Sequence, residues 1–477
     1  YSYETVVKRW PVILTTVIDS VYSVNHELTN LPDMATKLEE GKALIAAMSR
    51  LKYEMARDKP LEPIPADGEA LIEEYNEELI RLEERGQNTW FTAPWLYAEC
   101  YLYRLLRSLF STTQHWKAYD PFFSQKLNTY QASGTAVHKL AATLAELESE
   151  KDVVANDPQK LQVLFREMAQ MCLWGNATDL SLLTNMTPED IEHLQTIGRD
   201  AQNARKEFIL KDDQDAAWQH ITTLKDARID FILDNAGFEL LTDLVFADFL
   251  VSHTPYVSKV VFHPKSIPWF VSDVTPPDFA ALLDPSALPS GPAPEHLERA
   301  IARWNGYLAS GTFALSVARD APIGASDEVF NFWTSPWPYW DMRVRAPGVW
   351  NALRESGLVI FKVRALTGDV QWPVDTSFET AVGPLAHAFP LLSLRTNKAD
   401  VVVGVPRSVA DALDARGEKW RVNGRYAKRS HNGWRGALTP TMPLAQICSR
   451  LLFAARRDCR LTREYKEVYN CGVVLHI

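Results

Sequence analysis

An apolar run that ends abruptly at Asp234-Asn-Ala-Gly and resumes with helical spacing constrains this chain more than any other stretch of it. Ile229, Phe231, Ile232 and Leu233 read as a buried strand interrupted by Asp230, and Phe238, Leu241, Leu244 and Leu250 recur at the steps of a helix. Strand, tight turn and helix in that order make one unit of an α/β sheet, and such sheets bind ligands in the crevice at the carboxyl ends of their strands. Asp234 and Asn235 fall in that turn; Glu239, Asp243 and Asp248 follow on the helix. A plain helix cap is the alternative reading, since Asp and Asn both cap well. A cap needs one such residue, and five acidic or amide groups gather here.

Two kinds of sequence flank this unit. Over the first ~215 residues, helix follows helix without strand patterning, punctuated by prolines such as Pro11, Pro60, Pro94 and Pro121, with a helix start at Thr187-Pro-Glu-Asp190. From about residue 226, short apolar runs bounded by turn signals appear at 228–233, 257–262, 311–317, 357–362, 391–394 and 400–405, with helical segments between them. The pattern predicts an α/β protein. A helical domain (1–215) packs on a three-layer α/β/α, Rossmann-like domain with a mostly parallel sheet (216–428), and a basic extension (429–477) follows. Six prolines between 276 and 294 read as a loop or lid over 275–294.

Five cysteines, an odd number without a C-x-x-C pair, fit free thiols in a reducing compartment. No leader pattern and no apolar window of about 18 residues is present, so a soluble, cytoplasmic protein is expected, without membrane or DNA partners. The net charge of −10 hides a division: residues 401–477 carry fourteen Lys and Arg against six Asp and Glu, an excess of +8, which leaves −18 for the rest. That segregation points to a polyanion near the C-terminal segment, or else to a solvated helix face.

Several stretches together resemble one family. Asp234-Asn-Ala-Gly-Phe-Glu239 matches an Asp-Asn-x-Gly-x-Glu signature; Trp95-Leu-Tyr-Ala-Glu-Cys-Tyr-Leu-Tyr-Arg104, Asp120-Pro-Phe-Phe123, His263-Pro-Lys-Ser-Ile-Pro-Trp-Phe-Val-Ser-Asp273, Phe332-Trp-Thr-Ser-Pro-Trp-Pro-Tyr339 and Arg395-Thr-Asn-Lys398 accompany it. In this order they resemble the damage-control phosphatase family, in its acidic-residue methyltransferase-like branch, over roughly residues 1 to 428. The resemblance implies a divalent cation, Mn, Co, Ni or Mg, on Asp234 and Asn235, and a phosphate held by Lys265, Arg395 and Lys398.

The chain departs from the family pattern twice. The family completes its metal site from a Gly-Asp-x-Asn segment after a later strand, but here Gly357-Leu-Val-Ile-Phe-Lys362 runs directly into Val363-Arg-Ala-Leu. Where family members end soon after Gly424-Arg-Tyr-Ala427, this chain continues through Lys428, Arg429 and Trp434 into a basic, amphipathic helical pattern from about Leu444 to Tyr469. These departures lead us to expect a phosphatase scaffold turned to arginine-containing cyclodipeptide synthesis from aminoacyl-tRNAs, arginyl-tRNA among them, without a cofactor. In that reading Asp234, Glu239 and Asp273 are catalytic, Asn235, Asp243, Lys265, Arg395, Thr396 and Lys398 bind substrate, and Lys428, Arg429, Arg456, Arg457 and Arg460 bind RNA. The alternatives are a divalent-metal-dependent sugar-phosphate phosphatase and a non-catalytic scaffold.

Overall fold

The computed structural model describes residues 5–175, 206–362, 385, 388–397, 405–421 and 425–432. They belong to one compact unit, Tyr1–Trp434; a second, Arg435–Ile477, lies outside the described residues and takes Arg456, Arg457, Arg460 and the expected basic helix with it. Also outside are Lys398, all but the last residue of the strand expected at 400–405, and the helix start at Thr187.

The N-terminal half is helical: α1 (Trp10–Leu28), α2 (Ala35–Ala56), α3 (Ile72–Glu84), α4 (Trp95–Ser111), α5 (Phe123–Ala132), α6 (Gly134–Ser149), α7 (Lys151–Ala155) and α8 (Pro158–Gly175). Helix α4 has almost no exposed face. It carries Arg104 and Arg107, whose guanidiniums are satisfied inside the domain by Asp67 (2.7 and 3.0 Å) and Glu69. Buried charge survives there because each cation has its own carboxylate.

The α/β half begins with β1 (Ile209–Asp212) and α9 (Gln214–Ile221), then β2 (Ala227–Ile232), α10 (Phe238–His253), β3 (Val257–His263), α11 (Pro276–Leu282), α12 (Pro294–Ser310) and β4 (Phe313–Leu315). It continues through α13 (Glu328–Phe332), α14 (Met342–Arg345), α15 (Pro347–Arg354), β5 (Leu358–Phe361), β6 (Leu391–Thr396), α16 (Arg407–Ala415) and β7 (Ala427–Asn432). The described strands form a seven-stranded sheet in the order β1-β7-β6-β5-β2-β3-β4, parallel except where β6 meets β7. The expected α/β class and mostly parallel sheet are what the structure shows.

Alternation along the strands builds the layers. Ile229, Phe231 and Leu233 of the β2 segment, with Leu358 and Ile360, join the core made with α6, α8, α10 and α12. Ile232, Val359, Phe361 and Leu391 face the other way, onto Trp333, Tyr339, Met342 and Val349. The tryptophan-rich segment 332–340 is thus largely core, as its aromatic density suggests. Helix α10 is buried from Phe238 to Leu250, its three carboxylates included, which places it between the sheet and α8 rather than at the surface.

Two sequence readings need correction. The stretch 275–294 contains helix α11: Thr275 and Asp278 form a reciprocal capping box and Pro276 occupies the first turn, where proline is favoured, so the prolines start a helix as well as break one. Lys428 and Arg429, expected in a solvent-facing RNA-binding arm, are buried residues of β7, paired in register with Arg395 and Leu394. At 1% and 0% exposed, their side chains have no surface to present to an RNA backbone.

Candidate functional site

Register places the site. Ser393, Phe361, Ile232 and His263 form one row across β6, β5, β2 and β3, and two residues beyond that row come Arg395, Asp234 and Lys265. Two cations and a carboxylate therefore leave the sheet at one tier, at the carboxyl ends of parallel strands, where a ligand crevice is expected.

After β2 the chain turns through Asp234-Asn-Ala-Gly, with Gly237 at φ 69° and ψ −126°, a conformation reserved for glycine, before α10 begins. The segment after β3 folds back to meet this turn. Asn235 bridges Asp273 in antiparallel fashion, Ala236 N–H donates to the Ser272 carbonyl (2.7 Å) and Val274 N–H to the Asp234 carbonyl (2.8 Å). Ser272 Oγ donates to Asn235 Oδ1 at 2.6 Å. Asp234, Asn235 and Asp273 are thereby assembled from two turns and are all buried. The buried Tyr339 phenol is pushed well above the usual range by burial first, and then by Asp273, Cys100 and Asp234. Lys265 Nζ donates to the Leu233 carbonyl (2.5 Å) and lies 3.2 Å from Asp273 Oδ2.

The loop that delivers Asp273 is held in an unusual shape. Phe270 and Val271 have φ of 44° and 72°, in the left-handed region that non-glycine residues avoid. Trp269 and Phe270 pack against Tyr103 of α4 at ring distances of 5.9 and 5.4 Å, so the helical half supplies the anchor for that backbone.

The other acidic residues are engaged in a second layer. Lys362, one residue past β5, shares the face of Ile360 and Leu358 and so points to α8 and α10. Its Nζ meets Asp243 Oδ1 at 2.8 Å, Glu239 Oε1 at 2.9 Å and the Cys172 carbonyl at 2.7 Å, while Cys172 Sγ donates to Asp243 Oδ1 at 2.9 Å. Burial opposes the Lys362 charge, but Asp243, Cys172 and Glu239 outweigh it and hold the ammonium well above its usual range. Burial pushes both the Asp243 carboxyl and the Cys172 thiol up. Glu239 Oε2 also receives Asn235 Nδ2 at 2.5 Å.

These contacts correct the expectation that Glu239 is catalytic and that Asp243 binds substrate. Glu239 and Asp243 already hold Lys362, and Asp243 is fully buried with internal partners, out of contact with a substrate. Asp248 belongs elsewhere: it accepts from Arg303 Nε (2.9 Å) and Trp304 Nε1 (2.8 Å) and ties α10 to α12. His263, at the head of the motif that ends in Asp273, bonds Asp230 at 2.8 Å. Arg395 and Thr396 end β6, buried at the expected strand mouth. Sequence reasoning missed Ser272 and the role of Lys362, although a lysine closing an apolar strand repeats the pattern of Lys265 and Arg395. Cys100 and Cys172 are free thiols.

A hard divalent cation wants oxygen ligands, with one or two carboxylates and the rest from water and phosphate for Mg-like ions. Among the described residues no three His, Cys, Asp or Glu side chains converge on one point, so a cation here would be held by Asp234, Asp273 and the Asn235 amide oxygen. That donor set fits. The expected loss of the Gly-Asp-x-Asn carboxylate concerns residues 363–384, which lie outside the described ones. Among the described residues no helix is long and apolar enough to cross a membrane.

The damage-control phosphatase ARMT1-like domain matches residues 5–413. Proteins named damage-control phosphatase ARMT1 are similar across nearly the whole chain: that of Danio rerio is 35% identical over 445 residues, covering 90% of this chain and 93% of the relative, and that of Homo sapiens is 30% identical over 449 residues, covering 91% and 96%. A solved DUF89-family protein from Pyrococcus horikoshii aligns with a TM-score of 0.37 at 15% identity, covering 88% of this chain and 97% of that one. The relatives carry a phosphatase name and offer no support for the cyclodipeptide-synthase expectation. On the family match and on the relatives' identity and coverage, the chain belongs to the ARMT1-like damage-control phosphatase family.

Proposed function

We propose that this protein is a divalent-metal-dependent phosphatase acting on a small phosphate monoester such as a sugar phosphate. One observation carries the reading: Asp234, Asn235 and Asp273 meet through the bridge between their two turns, with the buried Lys265 beside them. The phosphatase name shared by relatives that span nearly the whole chain supports it.

Asp234, Asp273 and the Asn235 oxygen would hold the cation. When bound, such an ion polarises a phosphoryl oxygen and makes its water acidic. The remaining work belongs to the chain. Lys265 and Arg395, at the same tier as Asp234, are the cations placed to take phosphate oxygens, Lys265 by exchanging its present carbonyl contact for a charged one. Lys398 has the same assignment. Burial of the whole tier lowers the local dielectric, which strengthens each charged contact.

The test is phosphate release from a panel of sugar phosphates with Mn, Co, Ni or Mg. Turnover should require the cation and vanish in Asp234→Ala. Turnover that survives a chelator or that substitution overturns the proposal.

A further inference from the structure

Asn235 Nδ2 lies between Glu239 Oε2 (2.5 Å) and Asp234 Oδ2 (3.1 Å), and Oδ1 accepts from Ser272 Oγ at 2.6 Å. Carboxylates only accept, so a flipped amide would set oxygen against oxygen; the hydrogen-bond network fixes which end of Asn235 faces where. Glu239 thus holds the amide through one oxygen and meets Lys362 through the other. Lys362 in turn is tied to Asp243 and to the Cys172 carbonyl at the end of α8.

We infer that Lys362 is a positioning residue: it fixes Glu239, which fixes the Asn235 amide, which directs Oδ1 to the cation site. This rests on the phosphatase reading for its purpose, though the relay itself stands on geometry. The relay explains why Lys362 is buried among acids although it is on the sheet face opposite to Phe361 and Ile232 and not in the tier of Asp234, Lys265 and Arg395. It also assigns Glu239 an orienting task in place of a catalytic one. Outer-sphere partners of this kind typically alter metal affinity 10- to 100-fold when removed.

A competing role is plain charge balance, and two variants separate the two. Lys362→Met leaves Glu239 and Asp243 without their ammonium and threatens folding; Lys362→Met with Asp243→Asn restores the cluster's charge without restoring a group to hold Glu239. With asparagine side chains labelled with ¹⁵N in the full-length protein, Asn235→Asp identifies the Asn235 amide resonance. Both Lys362 variants should shift or broaden that resonance and speed its solvent exchange, and should weaken Mn²⁺ binding by calorimetry at least about tenfold, even where the double variant melts like the parent. If the double variant keeps the parent resonance and exchange rate, Lys362 only balances charge and the inference falls. If the resonance responds but the parent binds no Mn²⁺, the relay is upheld and it is the phosphatase reading that fails.

Discussion

Lys362 and Arg429 are both fully buried cations on one sheet, and their surroundings treat them in opposite ways. Lys362 has carboxylate, carboxylate and carbonyl within 2.9 Å, and its neighbours outweigh the cost of burial. Arg429 has Asp212 at 2.5 Å, while its Nε and Nη1 lack hydrogen-bond partners, and burial holds its guanidinium below the usual range despite Asp212. A buried charge with a full set of partners marks a place where the fold is organised around it; a buried charge with a partial set marks a strand held in place by its neighbours.

The largest effect should come from the same substitution at the first of these places. Lys362→Met removes one partner from a buried pair and should cost about 3–5 kcal/mol in denaturant unfolding, since the carboxylates left behind stay buried. A loss below about 1 kcal/mol would break the comparison, because the two cations would then be equivalent. Asp248 sharpens it from within α10. Its Oδ2 takes Arg303 and Trp304 as Glu239 takes Lys362 and Asn235, yet these contacts lie outside the site, so Asp248→Asn should cost about 2–3 kcal/mol and leave turnover per folded molecule unchanged. A fall in turnover without a fall in stability would mean that this ion pair belongs to the site and not to the scaffold. At β7 the sign reverses. Arg429→Met should leave stability within about 1 kcal/mol of the parent or raise it, because the substitution removes unmet donors and leaves behind only Asp212, which is partly exposed.

The same contrast explains what could be read from the sequence. Strands β2, β5 and β6 announce themselves because largely apolar, largely buried runs end in turn signals, and β3 does so through Val257 and Val260–Phe262 although Ser258 and Lys259 are exposed. Strand β7 does not, because Ala427-Lys-Arg-Ser-His-Asn432 has no apolar alternation; it becomes a strand through the slot between β1 and β6. Asp234, Asn235 and Asp273 were legible as acidic and amide groups after strands. Their meeting was not, because it depends on a left-handed Phe270-Val271 backbone that no residue type there advertises. Lys362 was visible as the end of an apolar strand, but its Cys172 partner is 190 residues away in sequence and its acids looked available for a ligand. The synthase expectation, which the relatives do not support, counted Glu239 and Asp243 as available, and counting carboxylates says nothing about which are already taken.

The smallest expected effect concerns the far end of β7. His431 Nδ1 donates to the Leu391 carbonyl at 2.9 Å, and its ring lies 5.4 Å from that of His220. Burial first, and then the neighbouring His220, depress its protonation below the usual imidazole range, against the Leu391 carbonyl and the charge of Asp213. A histidine whose pKa is lowered by folding binds its proton more readily when unfolded. Its contribution to stability is therefore present above the ordinary histidine pKa of about 6.5 and is lost as pH falls through the depressed value. His253, lowered mainly by burial, has the same sign. Denaturation midpoints of the parent should therefore decline from pH 7.5 to pH 5, and His431→Gln should flatten part of that decline while His253 keeps the remainder. An undiminished slope in His431→Gln would mean that β7 tolerates a protonated imidazole as well as it tolerates Arg429, and that this strand is wetter than its burial indicates.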